Sequence, residues 1–452
     1  MSTNDTIAAL STPQGIGAIG VIRLSGPMAL EVVAKHLGAS LLEAGANTVH
    51  FARFVQDDHV LDEVVATVFR APRSYTGEDI VELSFHGSGF ILNRALYAVL
   101  ASGARLANPG EFTQRAFLNG KLDLSQAEAV ADLIASESEA EHRLAMHQMR
   151  GGFSKEITHL REELIHFASL IELELDFSEE DVEFANRDEL VELVRTIQGF
   201  VQRLVDSFRY GNAIKQGVPV AIIGKPNAGK STLLNHLLNE DRAIVSDIPG
   251  TTRDAIEDTA IIEGIRYRFI DTAGIRETED VIESMGVKKS LEKIKSASVV
   301  LYLFDAVEPW ETHQNSIVDL IEAFKQTQAE VIPVANKTDL LASGTPFHEA
   351  VVPISAKSGE GIEALIQTIL TRINTTGAGR GDVVVTNARH LHALKATDAA
   401  LEQSLHAIES GLSGDLIAAD IREALHHLGS ITGDITTDDL LGNIFGKFCI
   451  GK

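Results

Sequence analysis

The spacing of hydrophobic and polar positions divides the chain into stretches with different predicted secondary structure. In residues 1–120, short apolar runs at 6–10 and 18–24 alternate with clusters of turn residues. Apolar positions with a helical period follow at 28–37 and 91–102. This mixture of strand and helix patterns predicts an α+β domain over residues 1–120.

A long helical period occupies two separate stretches further along the chain. Residues 125–210 place apolar side chains at helical spacing, with many Glu and almost no Gly or Pro. The same pattern resumes over residues 388–428. We interpret both stretches as halves of one discontinuous helical domain, with predicted bounds of 121–212 and 380–452.

The residues between these halves show a third pattern. An apolar, β-branched run at 220–223 predicts a buried strand, and residues 232–238 predict the first turns of a helix. We therefore expect an α/β domain over residues 213–379, inserted into the helical domain. The predicted fold class is a multidomain chain with an α+β, a split helical and an inserted α/β part.

The turn between that strand and that helix carries candidate chemistry. Gly224, Gly229, Lys230 and Ser231 have the spacing of a phosphate-binding loop. The glycines let the backbone approach phosphate oxygens, the lysine adds a positive charge, and the serine hydroxyl is a ligand for Mg²⁺. By itself this pattern also fits an unrelated glycine-rich turn.

Composition limits the remaining possibilities. The 64 acidic and 39 basic side chains give a net charge of −25, so we expect no broad electrostatic adhesion to nucleic acid. The single cysteine, Cys449, excludes an intramolecular disulfide and a cysteine-based zinc site. No signal peptide and no apolar run of the ~18 residues that span a bilayer are present, so we expect a cytoplasmic protein without a membrane span. The apolar tail, residues 445–452, is expected to dock on the protein.

Four further signals follow the phosphate-binding loop in the order found in guanine-nucleotide hydrolases. Residues 271–274, Asp-Thr-Ala-Gly, and 336–339, Asn-Lys-Thr-Asp, each follow a predicted strand. Asp339 can accept hydrogen bonds from both N1–H and the exocyclic amine of guanine, and adenine offers no such pair of donors. Residues 355–357 can offer the Ala356 N–H to guanine O6, and 250–254 can supply a threonine to Mg²⁺. This combination predicts a GTPase.

One position departs from the commonest GTPase arrangement. Ile275 follows Gly274, and an apolar side chain cannot orient the attacking water. The acidic residues at 277–283 offer a substitute, although they also fit a solvated surface. Asn227 can hold a monovalent cation beside the phosphates in place of an arginine, or can simply satisfy hydrogen bonds of the turn.

The whole chain resembles the MnmE family, also called TrmE. The resemblance rests on residues 224–231, Gly-Lys-Pro-Asn-Ala-Gly-Lys-Ser, on 250–254, Gly-Thr-Thr-Arg-Asp, and on the ending 448–452, Phe-Cys-Ile-Gly-Lys. It implies a K⁺-dependent GTPase that forms the 5-carboxymethylaminomethyl or 5-aminomethyl group on uridine 34 of certain tRNAs. It also implies a homodimer, an MnmG-type FAD protein as partner in a heterotetramer, and GTP hydrolysis that drives a conformational cycle.

The resemblance also implies the ligands of the nucleotide and its cations. K⁺ would be held by Asn227, Ser246, Ile248 and Thr251, and Mg²⁺ by Ser231 and Thr252. Glu283 matches the glutamate that orients the attacking water. The full set of expected GTP-binding residues is Asn227, Ala228, Gly229, Lys230, Ser231, Thr232, Ser246, Asp247, Ile248, Pro249, Gly250, Thr251, Thr252, Asp271, Thr272, Ala273, Gly274, Asn336, Lys337, Thr338, Asp339, Ser355, Ala356 and Lys357.

A folate site is implied by the resemblance alone. The family binds 5-formyl-tetrahydrofolate or 5,10-methylene-tetrahydrofolate, and the matching residues are Arg23, Glu82, Lys121 and Lys452. Without the resemblance, each of the four would be interpreted as a surface charge. Cys449, taken alone, would be interpreted as a small buried hydrophobic residue, and the family comparison puts it near the one-carbon chemistry.

Two other functions remain compatible with the residues. A GTPase switch in ribosome or RNA assembly, of the Era or Der type, would use the same nucleotide signals without a folate. A nucleotide-binding scaffold with little turnover would be consistent with Ile275.

Overall fold

The structure is a computed structural model of the chain, and it forms two compact units. It describes residues 5–176, 187–239, 258–262, 264–270, 297–324, 329–342, 344–373 and 383–451. The first unit comprises Met1–Ala131, Gln148–Arg161 and Leu428–Lys452, and the second comprises Asp132–His147 and Glu162–His427. Among the described residues, no helix is long and apolar enough to cross a bilayer.

The first unit is built on a mainly antiparallel sheet. Its strands are β1 (Ile7–Leu10), β2 (Ile19–Ser25), β3 (Thr48–Gln56), β4 (His59–Phe69), β5 (Ile80–His86) and β6 (Arg105–Leu106), in the order β3-β4-β5-β2-β1-β6. The helices of its amino-terminal part are α1 (Ala29–Leu37), α2 (Gly89–Ala101) and α3 (Glu111–Leu118). The strand and helix patterns predicted for this stretch are therefore confirmed, with small differences at the ends.

Alternation along the strands separates the two faces of this sheet. On β5, Val81, Leu83 and Phe85 are buried in a core shared with apolar residues of α1 and α2. The residues between them, Glu82 and Ser84, lie on the opposite face and remain partly exposed. Because side chains of a strand alternate between faces, the polar residues of β5 are directed away from the helices.

The carboxyl-terminal tail docks on the first unit, as its apolar composition predicts. Helix α13 (Asp438–Phe445) buries Phe445 in a small core with Leu124 and Ala127. Beyond it, the carbonyl of Cys449 accepts a hydrogen bond of 3.3 Å from the Gly110 N–H. The tail is thus held by apolar burial and by backbone hydrogen bonds.

A buried guanidinium organises the charged side chains of the first unit. Arg115 is 4% exposed and lies 2.5 Å from Asp5, 3.1 Å from Glu78 and 3.1 Å from Glu111. Arg105 also pairs with Glu111, at 2.6 Å. Burial raises the pKa of Glu111, but hydrogen bonds from Arg105, the Asn108 N–H and Arg115 outweigh it and leave that pKa below its ordinary value.

The second unit contains a mostly parallel sheet. Its strands are β7 (Val218–Gly224), β8 (Asp258–Ile262), β9 (Ile265–Ile270), β10 (Val299–Asp305), β11 (Glu330–Asn336) and β12 (Val352–Pro353), in the order β12-β11-β10-β7-β9-β8. Only β8 is antiparallel to its neighbour among these strands. Helices α8 (Lys230–Asn239) and α10 (Ile362–Ile373) contribute to one core of this sheet, and α9 (Glu311–Phe324) contributes to two others. This is the α/β part that the central apolar pattern predicts.

Long helices account for the remaining chain. They are α4 (Leu124–Ala135), α5 (Glu139–Met149), α6 (Gly152–Asp176), α7 (Arg187–Gln216), α11 (Ala388–Glu409) and α12 (Gly414–Thr432). Helix α7 packs along α11, which lies on the far side of the inserted α/β part in sequence. The two helical stretches therefore meet in space. The domain bounds of 121–212, 380–452 and 213–379 stay predictions.

The buried ion-pair network generates a stability prediction. Replacing Arg115 by Met should lower the free energy of unfolding by about 3–5 kcal/mol, because Glu78, 14% exposed, loses the guanidinium paired with it and Glu111, 6% exposed, keeps only Arg105. Pulse proteolysis of the full chain in urea would measure the change. Arg53→Met is the matched control: its pair with Glu63 is 70% and 51% exposed, so the loss should stay below about 1 kcal/mol.

The same network sets a pH dependence. The pKa of Glu111 is lower in the folded protein than in the unfolded chain. Its contribution to the free energy of unfolding is therefore complete above the ordinary glutamate pKa and is lost as pH falls through the lowered value. Arg115→Met should make this acid-side decline of the free energy of unfolding shallower without abolishing it, because the hydrogen bonds to Glu111 from Arg105 and the Asn108 N–H remain. An equally steep decline in the variant would contradict the assignment.

Candidate functional site

The phosphate-binding loop has a backbone that requires glycine at both ends. Gly224 has φ +155°, and a Cβ there would lie 2.1 Å from the carbonyl oxygen of Leu303 on β10. Gly229 has φ +96°, and its Cβ would lie 2.2 Å from Asn336 Nδ2. Asn227, between them, adopts the left-handed conformation with φ +62°. The loop thus packs tightly against the ends of two neighbouring strands.

The lysine of the loop is folded back onto the loop's own carbonyls. Lys230 Nζ donates to the carbonyl oxygens of Gly224 and Lys225 at 2.8 and 2.9 Å. Burial lowers the pKa of Lys230. The ammonium therefore lies at the loop beside the first turn of α8, where the helix amino terminus also favours an anion.

Asn336 joins the loop to the segment that follows β12. Its side chain is 2% exposed, Nδ2 donates to the Ala228 carbonyl at 2.8 Å, and Oδ1 accepts from the Ala356 N–H at 2.9 Å. One amide thus uses a donor and an acceptor to fix two separate loops. It brings together three of the five sequence segments predicted to bind the nucleotide.

A second contact fixes the carboxylate predicted to bind guanine. Asp339 Oδ1 accepts a hydrogen bond of 2.8 Å from Ser355 Oγ. The Ser355 N–H in turn donates to the carbonyl of Glu360, so the serine is itself held by a turn. Asp339 and Ala356 therefore belong to one rigid surface at the carboxyl ends of β11 and β12.

Asp305, Glu308 and His313 line the site, although the sequence reasoning did not identify them. Asp305, the last residue of β10, pairs with Lys337 at 2.7 Å, and Glu308 pairs with Lys225 at 2.8 Å. With the loop, these residues line a cavity of about 130 Å³. Because β10 and β11 pair in parallel with Asp305 opposite Asn336, the strand order could have revealed Asp305.

Several predicted ligands lie outside the residues that the structure describes. These are Ser246, Asp247, Ile248, Pro249, Gly250, Thr251, Thr252, Asp271, Thr272, Ala273, Gly274, Glu283 and Lys452. Of the predicted cation ligands, Asn227 lines the cavity and Ser231 lies in the first turn of α8. Their amide and hydroxyl oxygens are ligands that K⁺ and Mg²⁺ accept. Within the described ranges, no group of three or more His, Cys, Asp or Glu side chains could hold a metal ion.

The predicted folate residues of β2 and β5 are in direct contact. Arg23 and Glu82 are register partners, and Arg23 Nε lies 2.7 Å from Glu82 Oε1. The guanidinium carbon is also 5.5 Å from the ring centre of Tyr75 and 5.6 Å from that of Phe112. A ligand at this position would therefore meet an ion pair flanked by two aromatic rings.

The other two candidates of this region have different surroundings. Lys121 Nζ donates to the carbonyl of Pro72 at 2.9 Å, on the loop that also carries Tyr75. Cys449 is exposed, so its interpretation as a small buried hydrophobic residue is wrong. The buried position in the tail is taken by Phe445, whose ring fills the space beside α4.

Comparisons with known proteins cover almost the entire chain. The sequence model of the "GTP-binding protein TrmE N-terminus" matches residues 6–121, and that of the "MnmE helical domain" matches residues 124–449. A "tRNA modification GTPase MnmE" of Cytophaga hutchinsonii is 55% identical over 453 residues, covering 99% of this chain and 98% of the relative. Relatives with the same name in Christiangramia forsetii and Flavobacterium johnsoniae are 53% and 52% identical and cover 100% of both chains.

The role of Asn336 generates a binding prediction. Asn336→Ala should weaken nucleotide binding at least tenfold, because the Ala228 carbonyl and the Ala356 N–H would each lose a buried partner at about 1–3 kcal/mol. Titration with a fluorescent guanine nucleotide would measure this. Thr345→Ala, which removes an exposed local hydrogen bond within the same part of the chain, should bind normally. Unchanged affinity in Asn336→Ala would show that the two loops are positioned by other contacts.

Proposed function

The chain belongs to the MnmE family of tRNA modification GTPases, and from this premise we propose that it hydrolyses GTP as part of tRNA modification. The observation that carries the proposal is the single amide of Asn336, which holds the phosphate-binding loop and the base-binding segment together. A site with both parts fixed in this way suits a nucleotide that has both a phosphate chain and a purine.

Guanine selection is assigned to Asp339. Its carboxylate is oriented by Ser355 at 2.8 Å and can accept from N1–H and the 2-amino group of guanine. Adenine would leave the same carboxylate without these donors, so binding of the base would desolvate it without compensation. The Ala356 N–H already serves the Asn336 side chain, so guanine O6 would have to share this donor or use that of Lys357.

Cation binding is assigned to oxygen atoms of the loop and its neighbours. We propose that Asn227, Ser246, Ile248 and Thr251 hold K⁺ and that Ser231 and Thr252 hold Mg²⁺. Both ions would supply positive charge against the phosphate oxygens as negative charge develops there. Lys230 supplies a further charge from the protein itself.

Water orientation is assigned to Glu283. The residue after Gly274 is Ile275, whose side chain can neither accept nor donate a hydrogen bond. A carboxylate can accept from the attacking water and hold it in line with the terminal phosphate. The protein then needs only to position the reactants and to neutralise charge, which is the usual division of work in phosphoryl transfer.

The modification itself is assigned to uridine 34 of certain tRNAs. We propose a cytoplasmic homodimer that works with an MnmG-type FAD protein to form the 5-carboxymethylaminomethyl or 5-aminomethyl group. GTP hydrolysis would drive a conformational cycle, because what such a site provides for phosphoryl transfer is positioning and charge neutralisation rather than uridine chemistry. The net charge of −25 argues that tRNA contacts are local. An assembly switch of the Era or Der type is the second candidate, favoured only if no folate is bound.

A reduced folate is the proposed one-carbon cofactor of the first unit, held by Arg23, Glu82, Lys121 and Lys452. The support is the partly buried pair of Arg23 and Glu82, which is 17% and 28% exposed beside two aromatic rings. On ligand binding, Arg23 could leave Glu82 and pair with a carboxylate of the folate. Glu82 could then accept hydrogen bonds from the amino groups of the pterin.

Mass spectrometry of tRNA nucleosides tests the function. Cells lacking the chain should lose the modified uridine at position 34 and regain it with the wild-type gene. Complementation with Glu283→Ala should not restore it, because the nucleotide would remain bound without turnover. An unchanged nucleoside profile in the deletion would remove the modification proposal and leave the GTPase proposal standing.

The purified proteins provide the matching control for that experiment. Replacing Na⁺ by K⁺ should raise GTP hydrolysis by at least tenfold in the wild type, since a bound cation takes the place of an arginine finger. Glu283→Ala should retain nucleotide affinity within about twofold while hydrolysis falls by 10²-fold or more. Equal rates in both salts would contradict the K⁺ assignment.

Folate binding is tested by equilibrium dialysis with 5-formyl-tetrahydrofolate. Arg23→Ala should reduce the affinity by at least tenfold, the effect expected for loss of a charge-assisted hydrogen bond of about 1.5–3 kcal/mol. Arg53→Ala, which removes an exposed arginine of the same sheet, should bind normally. Absence of folate binding by the wild type would favour the assembly switch.

A further inference from the structure

The β8–β9 hairpin is connected at both of its ends to segments assigned to the nucleotide phosphates. Strand β8 begins at Asp258, soon after the predicted Mg²⁺ ligand Thr252, and β9 ends at Ile270, immediately before Asp271. Both ends of the hairpin therefore continue into segments assigned to the phosphates. Any nucleotide-dependent shift of those segments acts on the hairpin through the covalent chain.

The opposite end of the hairpin contacts the amino terminus of α5. Gly264, at the turn, has φ +76°, and its carbonyl accepts a hydrogen bond of 3.0 Å from the Ala140 N–H. A Cβ on Gly264 would lie 3.3 Å from the Cβ of Glu139. The turn thus lies directly against the first turn of α5, at the end of β9 remote from the nucleotide.

Arg266 ties β9 to the same place through its side chain. Nη1 donates to Glu137 Oε2 at 2.7 Å, and Nη2 donates to the Lys215 carbonyl at 3.1 Å. Nε lies 3.1 Å from Glu141 Oε1, within ion-pair distance but without hydrogen-bond geometry. Arg266 is 19% exposed, Glu141 6% and Glu137 43%, so the contact with Glu141 is far less screened than a surface pair, whereas that with Glu137 is partly screened.

The acidic partners are part of the start of α5 rather than independent surface groups. Glu141 Oε2 accepts from the Glu137 N–H at 2.8 Å, and the Glu141 N–H donates to Ser138 Oγ at 3.3 Å. Arg266 therefore binds a helix start that is already held by its own hydrogen bonds. A displacement of Arg266 would be passed to α5 instead of being absorbed by a free side chain.

A small movement is enough to change this contact. The Arg266 Nε and Glu141 Oε1 atoms are buried and close but poorly aligned, so a shift of the hairpin would either complete or break their hydrogen bond. From Arg266 to Asp271 there are five residues of strand, or about 16 Å at ~3.3 Å per residue. Strand β9 is hydrogen-bonded to β7 on one side and to β8 on the other, so a displacement at its nucleotide end would involve these paired strands as well.

We propose that Arg266 is a positioning residue that couples the nucleotide state of the α/β part to the helical segment formed by residues 132–147. This inference rests on the proposed function, since it assigns a route by which GTP turnover reaches the modification. It adds a named contact, that of Arg266 with Glu137 and Glu141. Loss of this contact should leave GTP hydrolysis intact and reduce tRNA modification.

The test uses charge reversal in the full-length protein. Arg266→Glu should keep kcat and KM for GTP within about twofold, because Arg266 lies a strand's length from the phosphates. The modified uridine in complemented cells should fall at least about fivefold, the lower end of ordinary coupling between sites. The double variant Arg266→Glu with Glu137→Arg should recover part of the loss, because it restores the ion pair with residue 137 but leaves the new carboxylate facing Glu141. Unchanged GTP hydrolysis in the single variant is the readout that separates coupling from a merely structural role.

A second measurement does not depend on tRNA. Hydrogen exchange of the α5 amides should differ between the GDP state and a non-hydrolysable GTP analogue in the wild type, and this difference should disappear in Arg266→Glu. Arg195→Glu is the control, because Arg195 has an exposed ion pair with Glu409 elsewhere in the helical part. If the wild-type gene restores no modified uridine, the proposed function fails. The hydrogen exchange of the α5 amides would then still show whether nucleotide state is coupled to this helix.

Two results would overturn the inference. GTP hydrolysis and modification that fall in parallel in Arg266→Glu would show that Arg266 only supports the nucleotide site. A nucleotide-dependent exchange difference that persists in α5 of Arg266→Glu, or normal modification by this variant, would show that the contact carries no signal.

Discussion

The nucleotide site depends on one buried side-chain amide. Asn336 donates to the Ala228 carbonyl and accepts from the Ala356 N–H, so two loops that are distant in sequence share a single rigid support. Neither loop contains a regular element at that point, and loops of this kind are ordered only when their backbone groups find partners. The phosphates and the purine can therefore be bound in fixed relation to each other.

The parallel sheet explains why this amide can reach both loops. Strands β7, β10 and β11 run side by side, and their carboxyl ends meet at one edge of the sheet. Gly224 ends β7, Asp305 ends β10 and Asn336 ends β11. Because ligand sites of open α/β sheets form at this edge, the strand order alone brings the loop lysine, Asp305 and the Asn336 segment together.

Much of this arrangement could be predicted from the sequence, and the missing part has a common cause. The loop, its helix and Asn336 follow local patterns, so periodicity and spacing reveal them. Asp305 needs the strand order, and the contact of Arg23 with Glu82 needs the register of β2 and β5. Arg115 gives no signal at all, since a buried arginine is recognisable only once its carboxylate partners, 4 to 110 residues away, are in place.

The exposed Cys449 is another feature that the sequence could not predict. Residue type predicts average burial, but in the tail the burial is decided by which side chain faces α4, and Phe445 occupies that position. Arg266 is the converse case, a charged residue of a strand whose side chain is only 19% exposed. Burying such a charge is costly unless its partners are fixed, and the Glu137 N–H holds the carboxylate of Glu141 in place. The coupling proposed for Arg266 therefore uses a contact in which one carboxylate, Glu141, is buried and held by its own hydrogen bonds.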